Sequence, residues 1–194
     1  MNAINHEQKA LFFHVPKCAG TTISKTLLQD DDWTVANVKD VNDSVKNGYF
    51  TFTFSRNPYD RFLSGWKHVK YKRDDFIFDL QVFHDDYKLL DLPNNINHRT
   101  FPNIHFFWTQ TKILPHSFNV LENVSQVFRF ENLEEDLGLL LDRFEVKTEG
   151  PIQKMNASCQ ETPYKECINA EIAAHIEEKY ADDFENFDYS HEKF

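Results

Sequence analysis

The stretch Leu11-Phe12-Phe13-His14-Val15-Pro16-Lys17-Cys18-Ala19-Gly20-Thr21-Thr22 decides how the rest of the chain is read. Its apolar run, Leu11 to Val15, reads as a short buried strand ended by Pro16. Thr21 to Gln29 reads as a helix, with Thr21 or Thr22 as its cap. Between them lies a tight loop with one Lys, small residues and hydroxyls. Such a loop suits a phosphate, because backbone N–H groups at a helix start point outward and the dipole there favours an anion. Ala19 and Gly20 let the backbone come close, Lys17 supplies a mobile cation, and Thr21 and Thr22 add hydroxyl donors. The plainer alternative is a strand–helix turn carrying a solvated Lys. A Walker A loop is excluded. GxxxxGK[ST] puts its Lys after the last Gly, whereas Lys17 precedes Gly20 by three positions.

A second segment has the same logic. Tyr49 to Ser55 alternates Phe50, Phe52 and Phe54 with Thr51, Thr53 and Ser55, which predicts a strand. Asn57-Pro58 ends it, and Pro58 suits the first turn of a helix running to about Val69. Arg56 then stands at the carboxyl end of a strand, where open α/β sheets bind ligands. Ser64 follows eight residues later, about two helical turns on. An Arg fork and a Ser hydroxyl converging on one anion is one reading. Local ion pairs, Arg56 with Asp60 or Asp60 with Arg61, and a small packing Ser64 are the other.

The remaining pattern alternates strands with helices. Asp74 to Asp91 is expected to be helical, and Leu92 to Pro102, with two Pro and three Asn, a loop. Val124 to Phe130 is a strand. Asn132 caps a helix to about Phe144, with Leu133, Leu137, Leu140, Leu141 and Phe144 on one stripe. Glu145 to Glu161 is irregular. Thr162-Pro163 opens a last helix as cap and first residue, along which Ile168, Ile172, Ile176 and Tyr180 recur every four positions. One or two further strands are expected within 33–48 and 104–121. The alternation argues for an α/β fold with a mostly parallel sheet.

Composition bounds the function. With 194 residues, the chain is expected to be a single domain, 1–194. A net charge of −10 argues against sequence-blind nucleic-acid binding, which phosphate neutralisation drives. An aromatic content of 15% argues against disorder. Three cysteines, Cys18, Cys159 and Cys167, with no CxxC pair, make neither a disulfide framework nor a structural zinc site. No stretch approaches the ~20 apolar residues of a membrane span, and Met1 to Ala10 lacks a signal-peptide core. With Met1 as the natural start, a soluble, cytoplasmic protein is expected. Asn156-Ala157-Ser158 is a glycosylation sequon that matters only in a secreted protein. Lys67 to Arg73 places four cations within seven residues. That island either steers an anionic substrate or is a solvated helix end.

Together the two segments resemble the motifs of the sulfotransferase superfamily, closest to its compact carbohydrate-type (family 2-like) branch. His14 to Thr22 is similar to the 5′-phosphosulfate loop, H-[IV]-P-K-x-[AG]-G-T-[ST]. Arg56 to Ser64 is similar to the 3′-phosphate motif, R-N-P-Y-[DE]-R-[LF]-x-S. Val127 to Leu137 and the ending Tyr180-Ala181-Asp182-Asp183-Phe184, with Phe187-Asp188-Tyr189, also look like the family, so the resemblance spans nearly the whole chain. It implies a three-layer, P-loop-NTPase-like fold with a mostly parallel central sheet flanked by helices.

The resemblance further implies 3′-phosphoadenosine 5′-phosphosulfate (PAPS) as donor and 3′-phosphoadenosine 5′-phosphate (PAP) as product. Lys17, Cys18, Ala19, Gly20, Thr21 and Thr22 would hold the 5′-phosphosulfate, and Arg56 and Ser64 the 3′-phosphate. Lys17 would also be catalytic, neutralising charge on the bridging oxygen as the sulfuryl group leaves. Transfer would be in-line to a hydroxyl acceptor, a glycan or small molecule, with no metal. A base must take the acceptor's proton. Several relatives carry a His before the second motif, and this chain has none between His14 and His68. The candidates are His14, His98, His105 and carboxylates such as Glu131. His105 is favoured, because His105-Phe106-Phe107-Trp108-Thr109-Gln110 resembles the family's H-[FW]-x-P-Q run with one residue more and Thr109 for Pro. His14, at a strand end, is read as orienting the first loop. Lys154 and Asn156 are expected where relatives close over the nucleotide. Two alternatives remain: a P-loop kinase or NTPase, and a catalytically lapsed nucleotide- or glycan-binding module.

Overall fold

The computed structural model describes residues 2–29, 32–72, 108–113, 118–148, 150 and 163–194. The expected helix 74–91, the loop 92–102, His98, His105, Lys154, Asn156, Cys159 and Thr162 lie outside them. The described residues form two compact units, one built from 1–56 and 120–156, the other from 57–119 and 157–194.

The first unit holds a five-stranded sheet. Its strands are β1 (Ala3–Asn5), β2 (Ala10–Phe13), β3 (Trp33–Val35), β4 (Phe50–Ser55) and β7 (Gln126–Arg129), in the order β3-β1-β2-β4-β7. β2 pairs parallel with β4, and β4 with β7. β1 lies antiparallel between β2 and β3, so only β1 runs against the rest. The short helices α1 (Gly20–Thr26), α2 (Val38–Lys46) and α4 (Val120–Asn123), and the longer α5 (Leu133–Arg143), complete the unit.

β1 went unrecognised in the sequence. Its three residues carry too little alternation to register as a pattern. Pairing on both sides buries Ile4 and Asn5. β4 has both faces buried, not only its Phe face. On the aromatic face Phe52 meets Phe12 at 5.3 Å and Phe54 meets Phe128 at 5.3 Å. Phe144, just beyond α5, closes over Phe50, Phe52 and Trp33. On the hydroxyl face Thr53 donates to the Phe13 carbonyl at 2.8 Å, and Ser55 to the Phe128 carbonyl at 3.3 Å. Burial without those bonds would cost more than the hydroxyls return. In α5 the leucine stripe is buried as expected, Leu133, Leu137, Leu140 and Leu141 facing inward. Asn132 precedes it but makes no side-chain cap. A short 3₁₀ turn, Phe130–Asn132, intervenes, and Asp136 reaches back to accept from the Arg129 N–H at 2.9 Å.

The second unit contains α3 (Pro58–Lys72), the two-stranded ribbon β5 (Lys112–Ile113) and β6 (Phe118–Asn119), and α6 (Tyr164–Cys167), α7 (Ala170–Lys179) and α8 (Ala181–Asn186). The last helix expected from the sequence is thus three. Pro163 is a cap outside α6 and not a first helical residue. Ile168 is extended, and Asn169 restarts the chain by accepting from the Ile172 N–H at 2.9 Å. Ile168, Ile172, Ile176 and Tyr180 are all buried nonetheless, because the breaks keep the same side inward. α3 packs on α6 and α7.

Candidate functional site

The first loop leaves the sheet after Phe13. Its backbone is unusual in two places: Lys17 has φ +70° and Ala19 φ +60°. Residues other than Gly avoid this left-handed region, at a cost of about 1–2 kcal/mol each. Ala19, left-handed, is followed by helical Gly20, and such a pair turns successive N–H groups toward one side in a form that suits an anion. α1 begins one residue earlier than the sequence suggests. Its cap is Ala19, with no side-chain cap hydrogen bond, which corrects the expectation of Thr21 or Thr22. Those residues fall in the first turn, where N–H groups have no intrahelical acceptor. Thr21 is exposed and Thr22 buried. Cys18 is buried, its thiol directed at the Pro16 carbonyl at 3.8 Å.

Gly20 is required by contact. A Cβ there would lie 2.1 Å from Nε2 of His14. The His14 ring therefore packs directly on the loop, while the backbone N–H of His14 donates to Oδ1 of Asn2 at 3.0 Å.

Arg56 follows β4, the parallel neighbour of β2, so both loops leave the sheet at the same edge. Its Nη1 donates to the Lys17 carbonyl at 3.0 Å. Its guanidinium carbon stands 3.9 Å above the centre of the Phe130 ring. Phe130 comes from the end of β7, which pairs with β4 so that Arg129 faces Ser55. The structure thus brings together Lys17 to Thr22 and Arg56, and adds Phe130, whose role the sequence did not reveal. Glu131 is exposed beside it.

Ser64 lies in the other unit, half-buried on α3. That unit has a polar core of its own. Asp183 is buried and accepts from the Gln110 N–H at 2.8 Å, the Thr111 N–H at 2.8 Å and the Thr111 hydroxyl at 2.9 Å. Burial pushes its carboxyl up, with the charge of Arg61 and these three donors pulling the other way. Asp183 thereby ties Gln110 and Thr111 to the helix that carries it. Its acidic ending was visible in the sequence, its partner 73 residues away was not. Nearby, the Tyr59 hydroxyl bonds Glu177, and burial followed by that bond raises the phenol well above its ordinary value. Glu177 also meets His191 at 3.1 Å. Burial alone would raise Glu177, but Tyr59 and His191 outweigh it and hold the carboxyl below the usual range.

Among the described residues no group of three or more His, Cys, Asp or Glu is placed to hold a metal ion, and no helix is long and apolar enough to cross a membrane. Comparison with curated proteins and with solved structures found no significant match. The model of the sulfotransferase family matches residues 2–190, nearly the whole chain and both units. By that match the chain belongs to the sulfotransferase family, as a family 2-like member.

Proposed function

We propose that this protein transfers a sulfuryl group from PAPS to a hydroxyl, on a carbohydrate acceptor, by metal-free in-line displacement. One observation carries the reading: two anion-binding motifs leave adjacent parallel strands and meet, Arg56 bonding the Lys17 carbonyl at 3.0 Å. Residues 17–22 bind the 5′-phosphosulfate through backbone N–H groups and hydroxyls. Arg56 binds the 3′-phosphate. Ser64 joins it on the strength of the Arg56–Ser64 motif. The acceptor oxygen attacks sulfur, and the bond from sulfur to the bridging phosphate oxygen breaks. Lys17 stabilises the charge that develops on that oxygen, an interaction stronger in the transition state than before it. His105 takes the acceptor proton. PAP and a sulfate ester leave. The resemblance supports a three-layer arrangement, and the family match across both units supports one catalytic domain over 1–194.

Calorimetric titration tests the donor site. PAP is expected to bind in the micromolar range, roughly −8 kcal/mol, and ADP and ATP much more weakly, all without added Mg²⁺. Equal affinity for ADP, or ATP binding that needs Mg²⁺, would replace this reading with a kinase-like one. Lys17→Ala should lower kcat by about two to three orders of magnitude with little change in PAP affinity, as removal of a charge-stabilising donor does. An unchanged kcat would remove Lys17 from the chemistry.

A further inference from the structure

Arg56 is assigned above to the 3′-phosphate. Its observed contacts describe a second task. Its Nη1 donates to the carbonyl of Lys17, 39 residues earlier, and that carbonyl belongs to a residue held at φ +70°. The guanidinium carbon lies over the Phe130 ring, 3.9 Å from its centre, the placement of a cation over an aromatic face. Three strand ends therefore interlock in register. Lys17 follows β2, Arg56 follows β4, and Phe130 follows β7, each the parallel neighbour of the next. A left-handed Lys is disfavoured on its own, so it persists only where its surroundings determine it. A charged donor on its carbonyl is such a determinant, and a ring beneath the donor fixes the donor in turn. A guanidinium carries five N–H donors in a rigid fork, so one side chain can serve more than one acceptor.

We propose that Arg56, seated on Phe130, is a positioning residue for the 5′-phosphosulfate loop, holding the Lys17 peptide in its left-handed form before the donor arrives. The proposal rests on the PAPS reading above and deepens it. The 3′-phosphate motif sets the shape of the 5′ loop, and Phe130 acts on the donor site through Arg56.

Two half-ligands separate the two tasks of Arg56. Adenosine 5′-phosphosulfate engages the loop and lacks the 3′-phosphate. Adenosine 3′-phosphate does the reverse. Both would be titrated into the wild-type protein, Arg56→Ala, Arg56→Lys and Phe130→Leu. Loss of a charge-assisted hydrogen bond at the loop is expected to weaken adenosine 5′-phosphosulfate about ten-fold in Arg56→Ala. Phe130→Leu should move in the same direction, and Arg56→Lys, which keeps charge but loses the flat fork, should recover only part of the affinity. Amide hydrogen exchange over residues 17–20, with no ligand present, should quicken in Arg56→Ala and Phe130→Leu. If the 5′-phosphosulfate affinity is unchanged in both variants while Arg56→Ala alone loses adenosine 3′-phosphate, the brace is overturned and the donor reading stands. Unchanged exchange overturns the brace as well. A wild-type protein that binds neither nucleotide overturns the donor reading and, with it, the brace. Thermal melting establishes that each variant is folded. Should Arg56→Ala fail to fold, Phe130→Leu, which leaves Arg56 in place, carries the comparison.

Discussion

Ala19 and Gly20 are neighbours in one loop, yet a methyl group has opposite consequences at the two. Ala19 already carries a Cβ in the left-handed region, so Ala19→Gly removes strain and costs backbone entropy. The expected outcome is a protein as stable as the parent or more so, by up to about 1 kcal/mol in urea denaturation. Gly20→Ala drives a Cβ to 2.1 Å from the His14 ring, which must then leave the loop. A loss of about 1–3 kcal/mol is expected, as for other overpacked sites. A Gly20→Ala protein of parental stability would mean that His14 moves aside freely. Both residues were legible as small. The sign of φ at Ala19, and the ring over Gly20, were not, because neither follows from residue size.

At the scale of elements, the end of the chain shows how far periodicity reaches. A four-residue recurrence, Ile168 to Tyr180, marks the buried side of α7 and its flanks, but it does not mark the breaks. The first break depends on Asn169 finding the Ile172 N–H, and the second falls at Tyr180 with no side-chain cap. Asp183, in α8, is the anchor that matters most there. Asp183→Ala leaves two backbone donors and a hydroxyl buried without their acceptor. A destabilisation of about 3–5 kcal/mol is expected by thermal melting. Thr111→Val, which removes only the hydroxyl, should cost about 1 kcal/mol. Equal losses for the two variants would deny the carboxylate its role as the shared acceptor.

Glu177 gives the same unit a pH dependence. Its folded pKa lies below the unfolded value of about 4.3. Its stabilisation is therefore complete above that value and is lost as the pH falls through the lower, folded one. Glu177→Gln should be less stable than the parent near pH 7 by up to about 1 kcal/mol, a modest figure because the group is partly exposed. The gap between the two proteins should narrow as the pH falls below the ordinary carboxylate range. A gap that stays constant across this range would assign the difference to shape and not to charge.

At the scale of the whole molecule, one family model covers both compact units. If 1–194 acts as one catalytic domain, PAP at about 100 times its Kd should add about 2.7 kcal/mol to the stability of the entire chain. Calorimetry would then show one melting transition, shifted as a whole. Two transitions with only one of them shifted would confine the donor site to a single unit.

The sequence by itself determined the α/β alternation, the leucine stripe of α5, the Phe–Thr pattern of β4 and the two motifs that carry the family resemblance. These are properties of short stretches, written in period, propensity and spacing. Only the tertiary structure decided that Ala3–Asn5 is a strand, because three residues become one by pairing on both sides. It alone gave Lys17 and Ala19 their left-handed backbone, set Arg56 between Lys17 and Phe130, and joined Asp183 to Gln110 and Thr111. Each of these contacts unites residues far apart in the chain, and such partners meet only when strand order and register have been set.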